Sequence, residues 1–235
     1  MTLLIVTTIP AVGIKNEYKP LEEQQVLKSF NTKAEETITI NPIADSTVQE
    51  GDPDENFGDI TSLFLSSADE GYKNERTYLK FDVSSIPDGA IINEAILRLY
   101  CWSALYANVD AWLWGIEESW EELTITWNNQ PFDPESDTPI SIRMMTLDDS
   151  EKWCEWPLSP EDIKPNIQNL MIKTNPESVS GEYRFVSREW GETVPELVIT
   201  YTKPRTKIIN TSILNFLETH PNLFPLLQKL ISFMN

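Results

Sequence analysis

The chain has 235 residues, 40% of them hydrophobic, and its 37 acidic residues outweigh 18 basic ones for a formal net charge of −19. That length holds one or at most two domains with a real core. The acidity excludes DNA and RNA as partners, because phosphate binding needs a basic surface, and it excludes charge-driven attachment to anionic lipid.

The first element is an apolar run from Leu3 to Val12, too short to span a bilayer. It ends in the small-residue stretch Ala11-Val12-Gly13 and lacks a basic n-region before it. Residues 1–13 are therefore expected to be a truncated signal peptide, which makes the mature protein extracellular, secreted or held at the cell surface. The alternative is a short apolar strand. No other segment is apolar enough for a transmembrane span. Residues 14–36, rich in Lys, Glu, Gln and Asn, read as a solvated linker with one weak helix near Leu21 to Phe30.

From Thr37 onward the texture is β. Alternating or short apolar runs occur at 37–40, 62–66, 76–83, 95–102, 108–116, 140–145, 183–186 and 196–202, with Gly, Pro, Asn and Asp clusters between them. Many short strands separated by turn signals predict an all-β fold, an antiparallel sandwich or barrel over residues 37–202. One helix is expected in this stretch, from Ser159 to Lys173. Ser159 suits an N-cap, Pro160 the first helical position, and Ile163, Ile167 and Leu170 share a face. Pro165 shortens it. Residues 203–235 carry apolar positions at helical spacing, broken by His220-Pro221. They read as a short C-terminal amphipathic helical tail that packs on the domain or contacts a protein or surface.

Several pieces of the β region resemble one family in order. They are Ala44-Asp45-Ser46-Thr47-Val48, Asn56-Phe57-Gly58, Arg76 through Pro87, Gly89-Ala90 and Ala95 through Tyr100. Trp120, the loop Thr126 through Pro131, Phe185 with Ser187-Arg188-Glu189, and Pro195 through Tyr201 complete the set. Together they resemble the DNRLRE domain, also classed as carbohydrate-binding module family 96 and related to the repeat of archaeal disaggregatases. The resemblance implies a jelly-roll β-sandwich, an extracellular setting and polysaccharide binding, with uronic-acid polymers among the expected ligands. The segment from Glu151 to Pro160, Trp-rich and Pro-interrupted, departs from the family pattern.

Alternation sorts the strand faces. Thr77, Leu79, Phe81 and Val83 oppose Arg76, Tyr78, Lys80 and Asp82; Leu97, Leu99 and Cys101 oppose Arg98, Tyr100 and Trp102; Val109, Ala111 and Leu113 oppose Asp110, Trp112 and Trp114. If these strands share one sheet, its second face gathers Arg76, Tyr78, Lys80, Arg98, Tyr100, Trp102, Trp112 and Trp114. Flat rings cover the C–H faces of sugars, and Arg and Lys donate to hydroxyls or carboxylates, so this set is the candidate carbohydrate site. The competing reading makes Trp112 and Trp114 core residues under a loop. A second candidate is a structural calcium held by Asp45, Asp52, Asp54, Asn56 and Asp59, against an ordinary acidic surface loop. Cys101 and Cys154 are too few for a thiolate zinc site and are either one disulfide or two buried thiols.

Catalytic signals are weak. The one histidine, His220, lies in the tail, and no Ser-His-Asp set is available in the β region. The expectation is a non-catalytic carbohydrate-binding module; an envelope adhesion module and a polysaccharide-degrading enzyme are the alternatives.

Overall fold

A computed structural model describes residues 35–67, 73–131 and 138–203. The expected signal peptide, nearly all of the linker with its weak helix, and the C-terminal tail beyond Lys203 lie outside the described residues.

Eleven strands run through the described residues: β1 Glu35–Ile40, β2 Ala44–Gln49, β3 Ser62–Ser67, β4 Glu75–Asp82, β5 Ile91–Leu105, β6 Val109–Ile116, β7 Ser141–Met145, β8 Lys152–Leu158, β9 Ile167–Asn175, β10 Gly181–Val186 and β11 Glu196–Thr202. Every pairing is antiparallel. The first layer is organised by the long strand β5. β8 lies along one side of it, and β11 then β10 lie end to end along the other. β1 extends the layer beyond β11, and β3 extends it beyond β10. The second layer is β2-β4-β9-β6-β7. A single bridge, Ser66 to Glu75, joins β3 to β4 and curls the two layers into one continuous wrap. This is the expected jelly-roll-like antiparallel sandwich.

The core lies between the layers. Leu79, Phe81, Leu113, Leu170 and Ile172 of the second layer meet Leu97, Leu99, Phe185, Leu197 and Ile199 of the first. Each such side chain contributes about 1.5–3 kcal/mol by leaving water. Trp156 of β8 fills the centre, donating its Nε1–H to the Ala111 carbonyl at 3.3 Å and standing edge-on to Phe185 at 6.0 Å. Cys101 and Cys154, on the neighbouring strands β5 and β8, stand as two buried thiols.

The expected helix from Ser159 to Lys173 is not formed. Ser159 and Pro160 do begin a turn, but it is a single 3-10 turn, Pro160–Asp162, closed by the Ser159 N–H donating to Asp162 Oδ2 at 3.1 Å. Pro165 removes a donor and pushes Lys164 toward extended backbone, and the chain continues as β9. β9 is covered on both faces, by the core at Leu170 and Ile172 and by an overlying loop at Met171. Two-sided burial erases the alternation that marks a half-exposed strand. Among the described residues no helix is long and apolar enough to cross a membrane.

Candidate functional site

The eight residues expected on one face lie on two. Arg76, Tyr78 and Lys80 of β4 and Trp112 and Trp114 of β6 belong to the outer face of the second layer. Arg98, Tyr100 and Trp102 of β5 belong to the outer face of the first. β4 and β6 are joined by β9, a strand absent from the sequence reading, while β5 has no partner in that layer.

The outer face of the second layer is roofed by residues 117–131. Lys80 donates its ammonium to the Trp120 carbonyl and lies 4.8 Å over that ring. Arg76 lies 4.3 Å over the Trp127 ring and donates to Gln130 Oε1 at 3.0 Å. The Tyr78 hydroxyl donates to the same oxygen at 3.1 Å, and its ring meets Trp120 edge-on at 5.7 Å. Asn56 pins the roof by donating its amide to the carbonyls of Glu122 at 2.8 Å and Ile125 at 2.7 Å. Tyr78, Trp114, Trp120 and Ile125 are consequently buried in a second small core, and Trp112 is half-buried against it. The polar, Trp-rich loop of the sequence is a packed cover here.

The outer face of the first layer is open. Trp102 is 41% exposed and Trp190 61% exposed. They flank a cavity of 440 Å³ whose apolar walls also include Tyr100 and Val186 and whose hydroxyls come from Thr61, Ser62 and Thr193. Tyr100 is steadied by Trp153 on β8, edge to face at 5.6 Å. Arg98 lies 4.7 Å over Trp153 and pairs with Glu155 at 3.1 Å and Glu196 at 2.8 Å. Arg184 lies 5.6 Å over Trp102. Trp190 ends a 3-10 turn, Arg188–Trp190, followed by Gly191 at φ 85°. The backbone before it is fixed at buried Ser187, whose hydroxyl donates to the Ile60 carbonyl at 2.7 Å, and at Arg188, whose N–H donates to Asp45 Oδ2 at 2.9 Å. Rigid aromatic walls with a few hydroxyls suit an apolar C–H face bordered by hydrogen-bonding groups.

The five residues expected to share a calcium ion are not brought together. Asp52, Asp54 and Asp59 are exposed, Asp54 accepting from the Asn128 amide at 2.8 Å, and Asn56 is committed to the roof. Among the described residues the one cluster of three carboxylates is Asp45, Glu122 and Glu189, with ligand atoms within 4.8 Å of one another. Arg188 already stands among them, its Nε 2.9 Å from Glu122 and 2.8 Å from Glu189. Burial raises the Asp45 carboxyl to about 8; Glu189 and Glu122 push the same way, and the Arg188 amide opposes them.

Sequence reasoning missed Trp153, Arg184 and Trp190. Trp153 alternates with Glu155 and Pro157 along β8, a signal masked by the proline, which is tolerated because β8 pairs only with β5 and is an edge strand. Trp190 directly follows Ser187-Arg188-Glu189, and only the fold of that turn carries it to the cavity.

A family model described as carbohydrate-binding module family 96 matches residues 36–201. No curated protein matches the chain.

Proposed function

Because the chain belongs to carbohydrate-binding module family 96, we propose that it is an exported, non-catalytic module that binds a polysaccharide along the outer face of the first layer. The observation that carries this reading is the pair of exposed rings, Trp102 and Trp190, set on either side of one 440 Å³ cavity. Exposed tryptophans are costly to leave in water, and a sugar's C–H face covers them while the hydroxyls of Thr61, Ser62 and Thr193 exchange water for sugar hydroxyls. The extracellular setting is supported by the apolar run and small-residue stretch within residues 1–13. The non-catalytic reading is supported by the match to a carbohydrate-binding module family.

The test is a binding screen of the full chain against neutral and acidic polysaccharides, repeated with Trp102→Ala and Trp190→Ala. Saturable binding that both substitutions abolish supports the reading. Uniform silence from a folded sample would turn the assignment toward an envelope adhesion module.

A further inference from the structure

Three arginines border the aromatic cavity, and each stands two residues before one of its walls: Arg98 before Tyr100, Arg184 before Val186 and Arg188 before Trp190. A guanidinium beside an aromatic ring suits the carboxylate or sulfate of an acidic sugar. Here all three are already engaged by the chain's own carboxylates.

Strand register decides the first. Glu155 on β8 and Glu196 on β11 are both cross-strand partners of Arg98 on β5, so the three form one row with the arginine in the middle. Arg98 Nε lies 3.1 Å from Glu155 and Nη1 2.8 Å from Glu196. Arg184 alternates outward along β10 with Glu182, and the two pair. Its guanidinium also lies 5.4 Å over the Phe64 ring and 5.6 Å over the Trp102 ring. Arg188 Nε lies 2.9 Å from Glu122 and 2.8 Å from Glu189. Five carboxylates therefore surround three guanidinium groups, and the exposed Glu192, directly before the wall residue Thr193, adds another at the rim. The one other basic residue in the strands of the first layer, Lys152, alternates with Cys154 and Trp156, away from the outer face that carries Trp153 and Glu155. The walls themselves are uncharged: rings, Val186 and the hydroxyls of Thr61, Ser62 and Thr193.

We infer that this platform selects electrically neutral glycans and discriminates against uronate and sulfated ones. The inference rests on the glycan-binding reading of the same face and narrows its ligand class; it departs from the uronic-acid polymers that the family resemblance implies. Its physical basis is charge. A neutral pyranose lays its C–H face on the rings and brings only hydroxyls to Thr61, Ser62 and Thr193. A uronate of the same ring brings a carboxylate as well. To reach Arg98 or Arg188 that carboxylate must displace one already bound, which exchanges one ion pair for another and leaves a glutamate unpaired. Where it displaces nothing, it meets the excess of carboxylates around the cavity, in a chain whose net charge is −19. Like charges set side by side penalise the wrong ligand more than they help the right one, and that difference is selectivity.

The experiment is calorimetric titration of the full chain at neutral pH with matched oligosaccharide pairs that differ only in a carboxylate for a hydroxymethyl group: glucose with glucuronate, mannose with mannuronate, galactose with galacturonate. Each titration is run at about 20 mM and about 500 mM salt. The expected result is saturable binding of at least one neutral member, with its uronate partner at least about tenfold weaker in low salt, a gap of about 1.4 kcal/mol. High salt screens exposed charge and should narrow that gap while leaving neutral binding flat. Glu182→Gln leaves Arg184 beside Trp102 without its carboxylate, and Glu155→Gln, at a half-exposed position, removes one of the two carboxylates on Arg98. Each should narrow the ratio within a pair, which a merely structural loss, weakening both members alike, would not do. A uronate bound as tightly as its neutral partner, or a gap that ignores both salt and the two substitutions, overturns the selectivity. Neutral binding that ignores Trp102→Ala, or silence toward every pair, overturns the platform reading itself.

Discussion

Arg76 and Glu177, 101 residues apart in sequence, are joined at two points: Nε to Oε1 at 2.8 Å and Nη2 to Oε2 at 3.0 Å. Lys173 adds a third bond to the same carboxylate at 3.1 Å. The guanidinium proposed from sequence as a sugar donor thus has its fork filled by a carboxylate, in a pair that is largely buried. Burial pushes the Glu177 carboxyl up, but Arg76 and Lys173 outweigh it and hold the group below its ordinary range.

Glu177→Gln should therefore destabilise the fold by about 3 kcal/mol, because it removes the largely buried carboxylate that Arg76 and Lys173 share. Urea unfolding at neutral pH checks it. A depressed carboxylate stabilises above its unfolded value, about 4.3, and that contribution disappears as pH falls through the lower folded one. The variant should accordingly lose less stability on acidification than the parent. An unchanged urea midpoint would show that the pair contributes nothing net.

Gly58→Ala should be as damaging although only a methyl group is added. A β-carbon there would stand 2.1 Å from the Glu122 carbonyl oxygen, the same oxygen that accepts from Asn56. The obstacle is backbone and cannot rotate away. The roof over residues 117–131 must shift and Tyr78 and Trp114 must lose cover, a cost of about 1–3 kcal/mol or more. A melting temperature equal to the parent's would mean that the roof is loosely held.

These positions show where the sequence was readable. Strands β1, β3, β4, β5, β6, β7, β10 and β11 announce themselves by alternation or a short apolar run. β2 does not, because Asp45, Ser46 and Thr47 are polar yet buried; their hydrogen bonds, such as Thr47 Oγ1 accepting from the Phe64 N–H at 2.9 Å, are invisible in one dimension. β8 is hidden by Pro157 and β9 by its two-sided cover. The faces of β4, β5 and β6 were correctly sorted, but their division between two layers was not. Strand order is non-sequential, and only the pairing of β4 with β9 and of β5 with β8 separates Arg76 from Arg98.

That division yields a paired test with tryptophan. Trp102→Ala removes an exposed ring, so affinity for glycan should drop while the melting temperature moves little. Trp114→Ala empties a buried site packed by Trp120, Ile125 and Met171 and should cost about 3–5 kcal/mol. Scanning both by thermal melting and by binding separates platform from core. A large stability loss in Trp102→Ala, or none in Trp114→Ala, would reverse the assignment of the two faces.

The pH dependence of stability follows from Asp45. Its carboxyl titrates near 8 in the folded chain, against about 3.9 when unfolded. Between those values the native state holds a proton that the unfolded state has released, so protons favour folding and stability falls as pH rises through that window. One such group gives a slope of up to about 1.4 kcal/mol per pH unit. Glu75, raised to about 7, acts in the same direction below neutrality. Glu177 acts oppositely at the acid end. The melting temperature should therefore peak in mildly acid solution and decline toward pH 8, an unusual profile for so acidic a chain only in that it traces to identifiable residues. Asp45→Asn keeps an acceptor for the Arg188 N–H and carries no titrating charge, so it should flatten the decline and raise the melting temperature at about pH 8. Thermal scans of both proteins from about pH 4 to 9 decide it. A parent curve that climbs from mildly acid to alkaline pH would mean that Asp45 is ionised in the native state and that Arg188 alone balances the cluster with Glu122 and Glu189.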